Sequence, residues 1–136
     1  MSLSPTEAST PALAYLGDSV LEVAVRSYLV EERRLSTSAH LNRAALDFVR
    51  ASAQSEAMGR IEPHLSEEEA AVYRRGRNIG HTNVPKSASV TEYRRATGME
   101  VLFGYLHLAG RVDRIQELFR IGYVPGTDAD DATNQQ

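Results

Sequence analysis

Residues 12–29 read ALAYLGDSVLEVAVRSYL, and the spacing within this stretch decides the fold class. Leu13, Leu16, Val20, Leu21, Val23, Ala24, Tyr28 and Leu29 recur at helical intervals rather than alternating as a half-buried strand would. They cover more than one stripe, which predicts a central helix buried on much of its circumference, from Thr10 to about Glu32. Thr10 is the expected cap, with Pro11 at the first helical position, where its missing N–H costs nothing. Inside this apolar run stands an acid, Asp18, directly after Gly17.

Further along, residues 96–110 read ATGMEVLFGYLHLAG and repeat the arrangement, with Glu100 two residues after Gly98. The helix that contains them opens at a capping box, Ser89 with Glu92, and ends at Gly110, which suits a left-handed position. Between the two apolar helices the pattern predicts one helix from the polar Ser36–Ser38 stretch through Leu41, Ala44, Ala45, Phe48 and Ala51 to Met58 or Ile61, stopped near Pro63. A second capping box, Ser66 with Glu69, starts a helix at Glu67 that loses its pattern near Asn78. Residues 79–89, IGHTNVPKSAS, have the composition of a loop. A short last helix, about Val112 to Ile121, offers Ile115, Leu118 and Phe119 as its apolar face. No segment alternates convincingly, so the chain reads as all-α. The expected organisation is a flexible N-terminus at residues 1–9, one domain at 10–122 and a disordered acidic tail at 123–136.

The chain has 136 residues, the size of one ordinary domain, and contains no cysteine. That excludes a disulfide framework, a thiolate metal site and a cysteine nucleophile, and fits a reducing compartment. No leader pattern and no apolar run long enough to span a bilayer is present, so a soluble, cytoplasmic protein is expected. His40, His64, His81 and His107 lack zinc-ligand spacing, no GxSxG elbow accompanies the serines, and no glycine-rich nucleotide loop occurs. The net charge of −3 taken alone argues against a nucleic-acid partner. Its distribution does not. Arg74, Arg75, Arg77, Lys86, Arg94 and Arg95 stand against the single acid Glu92 within one short segment, interleaved with Asn78, His81, Thr82, Asn83 and Ser87. A solvated helix end explains these charges; so does a surface that contacts the phosphates of a duplex.

Asp18 and Glu100 call for a cause, because burying an ionised carboxylate costs several kcal/mol unless it is paired or bound to a cation. One cause is an arginine partner at a helix interface. The other is a pair of oxygen ligands for Mg²⁺, which favours carboxylates together with waters and phosphates. Gly17 and Gly98 suggest that another backbone approaches each acid closely. Glu22, one turn after Asp18, is either a further ligand or a surface partner for Arg26.

Taken together, ALAYLGDSVLEVAVRSYL, the second acidic helix ATGMEVLFGYLHLAG and the intervening RRGRNIGHTNVPKSASVTEYRRATG resemble the ribonuclease III superfamily, and within it the Mini-ribonuclease III branch, over roughly Ala12 to Phe119. The resemblance implies an all-helical catalytic domain that forms a homodimer, binds double-stranded RNA and hydrolyses it with Mg²⁺, leaving 5′-phosphate and 3′-hydroxyl ends. In that branch the expected substrate is precursor ribosomal RNA of the large subunit (23S), in bacteria or plastids. The family's metal-binding and catalytic acids fall on Asp18 and Glu100. RNA contacts fall on Arg74, Arg75, Arg77, Asn78, Lys86, Arg94 and Arg95. Two further acids of the longer enzymes are replaced by Ala14 and Thr97, and no segment after Phe119 is long enough for a separate RNA-binding domain. The competing expectation is a non-catalytic RNA-binding or ribosome-assembly module on the same fold.

Overall fold

Six α-helices make up the described residues, 3–79 and 89–126, of the computed structural model: α1 (Thr10–Glu31), α2 (Ser38–Val49), α3 (Ala51–Ile61), α4 (Glu67–Arg77), α5 (Val90–Leu108) and α6 (Val112–Tyr123). A single 3-10 turn, Glu62–His64, follows α3. Both predicted capping boxes form. The Ser66 hydroxyl accepts from the Glu69 amide at 3.1 Å while Glu69 accepts from the Ser66 amide at 2.9 Å, and Ser89 with Glu92 does the same at 3.0 and 3.1 Å. Gly110 takes φ +73°, the left-handed conformation that ends α5.

Of the two apolar helices expected in the core, α5 is the one that the others enclose. Every residue from Ala96 to Leu106 is buried except Glu100, because α1, α3, α4 and α6 all pack around it. The largest fully buried side chains, among them Phe103, Phe119, Tyr73, Leu13 and Met58, come from five helices and meet at this axis. The α1 helix buries Leu13, Gly17, Leu21, Ala24, Val25 and Leu29 on one side only. Its other side leaves Tyr15 85%, Val23 65% and Val30 53% exposed, which corrects the expectation of burial on much of its circumference.

Three local expectations are also corrected. Ser9, not Thr10, caps α1, its hydroxyl accepting from the Ala12 amide at 3.2 Å. The single helix expected between residues 38 and 61 is broken at Arg50, whose backbone is extended (φ −66°, ψ 152°). The two pieces serve different neighbours, α2 lying on α1 while α3 packs on α5 and α6. Arg50 stabilises the break itself, donating from Nε to the Leu46 carbonyl at 3.1 Å and pairing with Asp47 at 3.2 Å. Finally, α6 continues two residues past Ile121. There the Tyr123 hydroxyl donates to the Phe48 carbonyl at 2.9 Å, its ring stacks on Phe48 and touches Phe119, and Arg60 donates to the Gly122 carbonyl at 2.8 Å.

Candidate active site

Two glycines bring the two acids together. A Cβ placed on Gly17 would stand 1.6 Å from the Glu100 carbonyl oxygen and 2.9 Å from the Gly104 nitrogen; one placed on Gly104 would stand 2.2 Å from the Leu13 carbonyl oxygen. The α1 and α5 backbones therefore touch directly, a contact that only glycine permits. Asp18 follows Gly17, and Glu100 lies one turn before Gly104, so both carboxyl groups emerge at the edge of this crossing, close enough for Asp18 to act on Glu100. Burial first, and the neighbouring Asp18 carboxylate second, push Glu100 up to about 8. Asp18 itself is exposed, contrary to the expectation that both acids would be shielded by apolar neighbours. The reason is that Asp18 sits at the rim of the buried side of α1, whereas Glu100 is surrounded on its own helix by buried residues.

The arginine-partner alternative is not what the described residues show, since each acid faces the other. Glu22 takes the surface role instead, accepting from Arg26 Nε at 2.9 Å. Ala14 is half-buried, and the Thr97 hydroxyl donates back to the Tyr93 carbonyl at 3.0 Å. Neither adds an acid. No group of three or more metal-ligating side chains occurs among the described residues, so the donor set is a pair of carboxylates. A pair of oxygens crowded against one another suits a small hard cation that completes its coordination with water and phosphate. Gly98 has a different role: its missing side chain admits the Tyr73 ring, which would stand 2.6 Å from a Cβ. Gly104 is legible by the same rule as Gly17, a glycine inside an apolar helical run, four residues after Glu100.

The predicted basic residues divide. Arg77, Asn78, Arg94 and Arg95 line a groove of about 250 Å³ together with Thr91, with Tyr73 among its walls. Arg77 lies 5.7 Å from the centre of the Tyr73 ring and donates from Nε to Asn78 Oδ1 at 3.4 Å. Glu62 stands in the same groove. Arg74 is exposed on α4. Arg75 lies elsewhere, close enough to Tyr105 to act on its hydroxyl, which donates to Glu68 and also feels Arg111. Lys86, with His81, Thr82, Asn83 and Ser87, falls outside the described residues. Thr91 carried no signal in the sequence beyond its place in the first turn of α5.

Comparison with known proteins places these features in a lineage. Residues 11–111 match the model of the Ribonuclease III domain. The chain is 48% identical over 108 residues to the Mini-ribonuclease 3 of Gloeobacter violaceus, covering 79% of this chain and 76% of that protein. It is 38% identical over 109 residues to the Mini-ribonuclease 3 of Clostridium tetani, covering 80% of this chain and 72% of the relative. A protein of Fusobacterium nucleatum solved by X-ray crystallography superposes with a TM-score of 0.75 at 30% identity, over 83% of this chain and 89% of that one.

Proposed function

The chain belongs to the ribonuclease III domain family and is an endoribonuclease, and from that premise we propose that it is a Mg²⁺-dependent enzyme that cuts double-stranded RNA at the Asp18–Glu100 pair. The observation that carries this reading is the Gly17–Gly104 crossing, which holds two carboxyl groups together at the edge of a buried helix contact. Asp18 and Glu100 are the proposed ligands and catalytic residues. A divalent cation there would offset charge on the scissile phosphate and supply a water nucleophile at neutral pH.

The chain's own residues do the rest. Glu100, fixed by the burial of its neighbours, must release its proton before both carboxylates can present oxygen donors together, so cation affinity rises with pH up to about 8. Asp18 faces solvent and so meets the incoming phosphate. Arg74, Arg75, Arg77, Asn78, Lys86, Arg94 and Arg95 are the proposed RNA contacts. A-form RNA hides its bases in a deep groove, so phosphates and 2′-hydroxyls dominate recognition and sequence preference is modest. Products carry 5′-phosphate ends, and the proposed biological substrate is precursor 23S ribosomal RNA in the cytoplasm. No described helix is long and apolar enough to cross a membrane.

A homodimer completes the reading. The exposed side of α1, with Tyr15, Val23 and Val30, is the face that a second copy would cover, and a two-fold pair of sites matches the two strands of a duplex. Val23→Glu should shift the protein to monomer in sedimentation; an unchanged dimer would move the interface elsewhere. Asp18→Asn and Glu100→Gln test the site. Each should lower cleavage of duplex RNA at least about a hundredfold while the fold persists. Full cleavage by both would overturn the assignment, and binding of duplex without any cleavage by the unaltered chain would favour the module that binds RNA without cutting it.

A further inference from the structure

Glu100 and the basic groove lie on different flanks of α5. At about 100° per residue, Arg94, Arg95 and Thr91 are turned roughly 120°, 140° and 180° from Glu100 round the helix. The contacts agree. Glu100 meets α1 through Gly17, whereas the Arg95 guanidinium lies against Gly59 of α3, and Thr91 and Arg94 look onto Tyr73 and Arg77 of α4. A helix with its side chains is about 10–12 Å across, so a duplex seated on the acid pair is separated from the groove by the thickness of α5. The groove's volume of about 250 Å³ suits the sugar-phosphate chain of one strand and not the width of two.

We infer that this groove is a separate seat for a single RNA strand that runs off the end of the duplex. The inference rests on the RNA reading proposed above and adds the class of ligand that the groove takes. Its chemistry fits a backbone rather than bases. Three guanidiniums, from Arg77, Arg94 and Arg95, answer phosphates. The Asn78 amide has its oxygen turned to Arg77, which leaves its NH₂ to donate. The exposed Thr91 hydroxyl can both donate to and accept from a ribose 2′-hydroxyl. Tyr73 is only 1% exposed, so it forms a wall and offers no face on which a base could stack. Glu62 repels phosphate and confines the strand to the arginine side.

The test compares a blunt RNA duplex of about 20 base pairs with the same duplex carrying a single-stranded extension of about six nucleotides, bound by the full chain in Ca²⁺ at low salt. The extension should tighten binding roughly tenfold, and Thr91→Val or Thr91→Ala, at a groove residue outside the duplex contacts proposed above, should remove most of that gain. Both variants change side chains at the surface, and unchanged melting checks that they fold. An extension without effect on the unaltered chain would overturn the seat. So would variants that weaken blunt and extended duplexes by the same factor, because the groove would then be touching the duplex itself. Failure of the unaltered chain to bind either RNA would overturn the RNA reading as well.

Discussion

The two flanks of α5 are built by opposite means. At Gly17 and Gly104 two backbones meet with no room for a methyl group, so the separation of Asp18 and Glu100 is set by main-chain contact. At the groove, long arginine side chains reach across open space from α4 and α5. The first arrangement tolerates no adjustment; the second spreads its interactions over several flexible groups. Chemistry that depends on two carboxyl groups held a few ångströms apart belongs on the rigid flank, whereas a phosphate chain can be gripped by side chains that adapt.

Gly17→Ala is the sharpest way to break the contrast. Its Cβ cannot coexist with the Glu100 carbonyl at 1.6 Å, so α1 and α5 must separate. We expect a loss of more than about 3 kcal/mol in stability, together with loss of cleavage. Thermal melting and a duplex-cleavage assay would show it, and near-normal values for both would mean that the crossing is looser than described. Gly104→Ala, facing the Leu13 carbonyl at 2.2 Å, should behave alike.

Next in size is Arg114→Met, which tests whether the basic end of α4 depends on an anchor at its other end. Glu69 is 1% exposed and serves twice, capping α4 at Ser66 and accepting from Arg114 at 2.8 and 2.9 Å, with Arg111 at 3.6 Å. These partners hold its carboxyl below the usual range, the Arg114 hydrogen bond contributing most. Removing Arg114 leaves a buried acid short of a partner and should cost about 3 kcal/mol. RNA affinity should fall with it if α4 shifts, measured under conditions where the variant is still folded.

Much of this was legible in the sequence, and the failures have physical causes. The capping boxes, the left-handed Gly110 and the two acids were all readable because each rests on a few neighbouring residues whose local chemistry is strong. The break at Arg50 was not, since no proline or glycine marks it and the cause is tertiary: α2 and α3 have different packing partners. Periodicity likewise could not distinguish an apolar side facing the core from one facing outwards, which is why Val23, 65% exposed, was expected inside. Nor could adjacency in sequence show that Arg75 and Arg77, only two residues apart, point to opposite sides of α4.

The acid pair makes stability depend on pH in a way the groove does not. Glu100 is raised from 4.5 to about 8, so between those values the folded chain keeps a proton that the unfolded chain has released. Stability without a divalent cation should therefore fall as pH rises from about 5 to 8, by roughly 1–3 kcal/mol. Glu100→Gln should flatten the profile, and Mg²⁺ should restore stability at the alkaline end, because only the deprotonated pair binds it well. Melting in chelator at several pH values decides the matter; a profile identical to that of Glu100→Gln would mean that burial and the neighbouring Asp18 do not hold Glu100 above the usual carboxylate range.

The smallest effects belong to individual arginines, and their ranking separates a flexible grip from a fixed one. Each phosphate contact released should reduce the salt dependence of duplex binding by about one unit of slope and weaken affinity a few-fold. Arg74→Ala should show this in full, since its side chain is exposed on the outer face of α4. Arg75→Ala should show less, because that guanidinium lies towards the Tyr105 hydroxyl and its Glu68 acceptor, where it already answers negative charge. If both variants lower the slope equally, the duplex extends over the Tyr105 side of α4 as well. If neither does, the phosphates are held elsewhere, and the basic end of α4 is a solvated helix terminus whose arginines favour the negative end of the dipole.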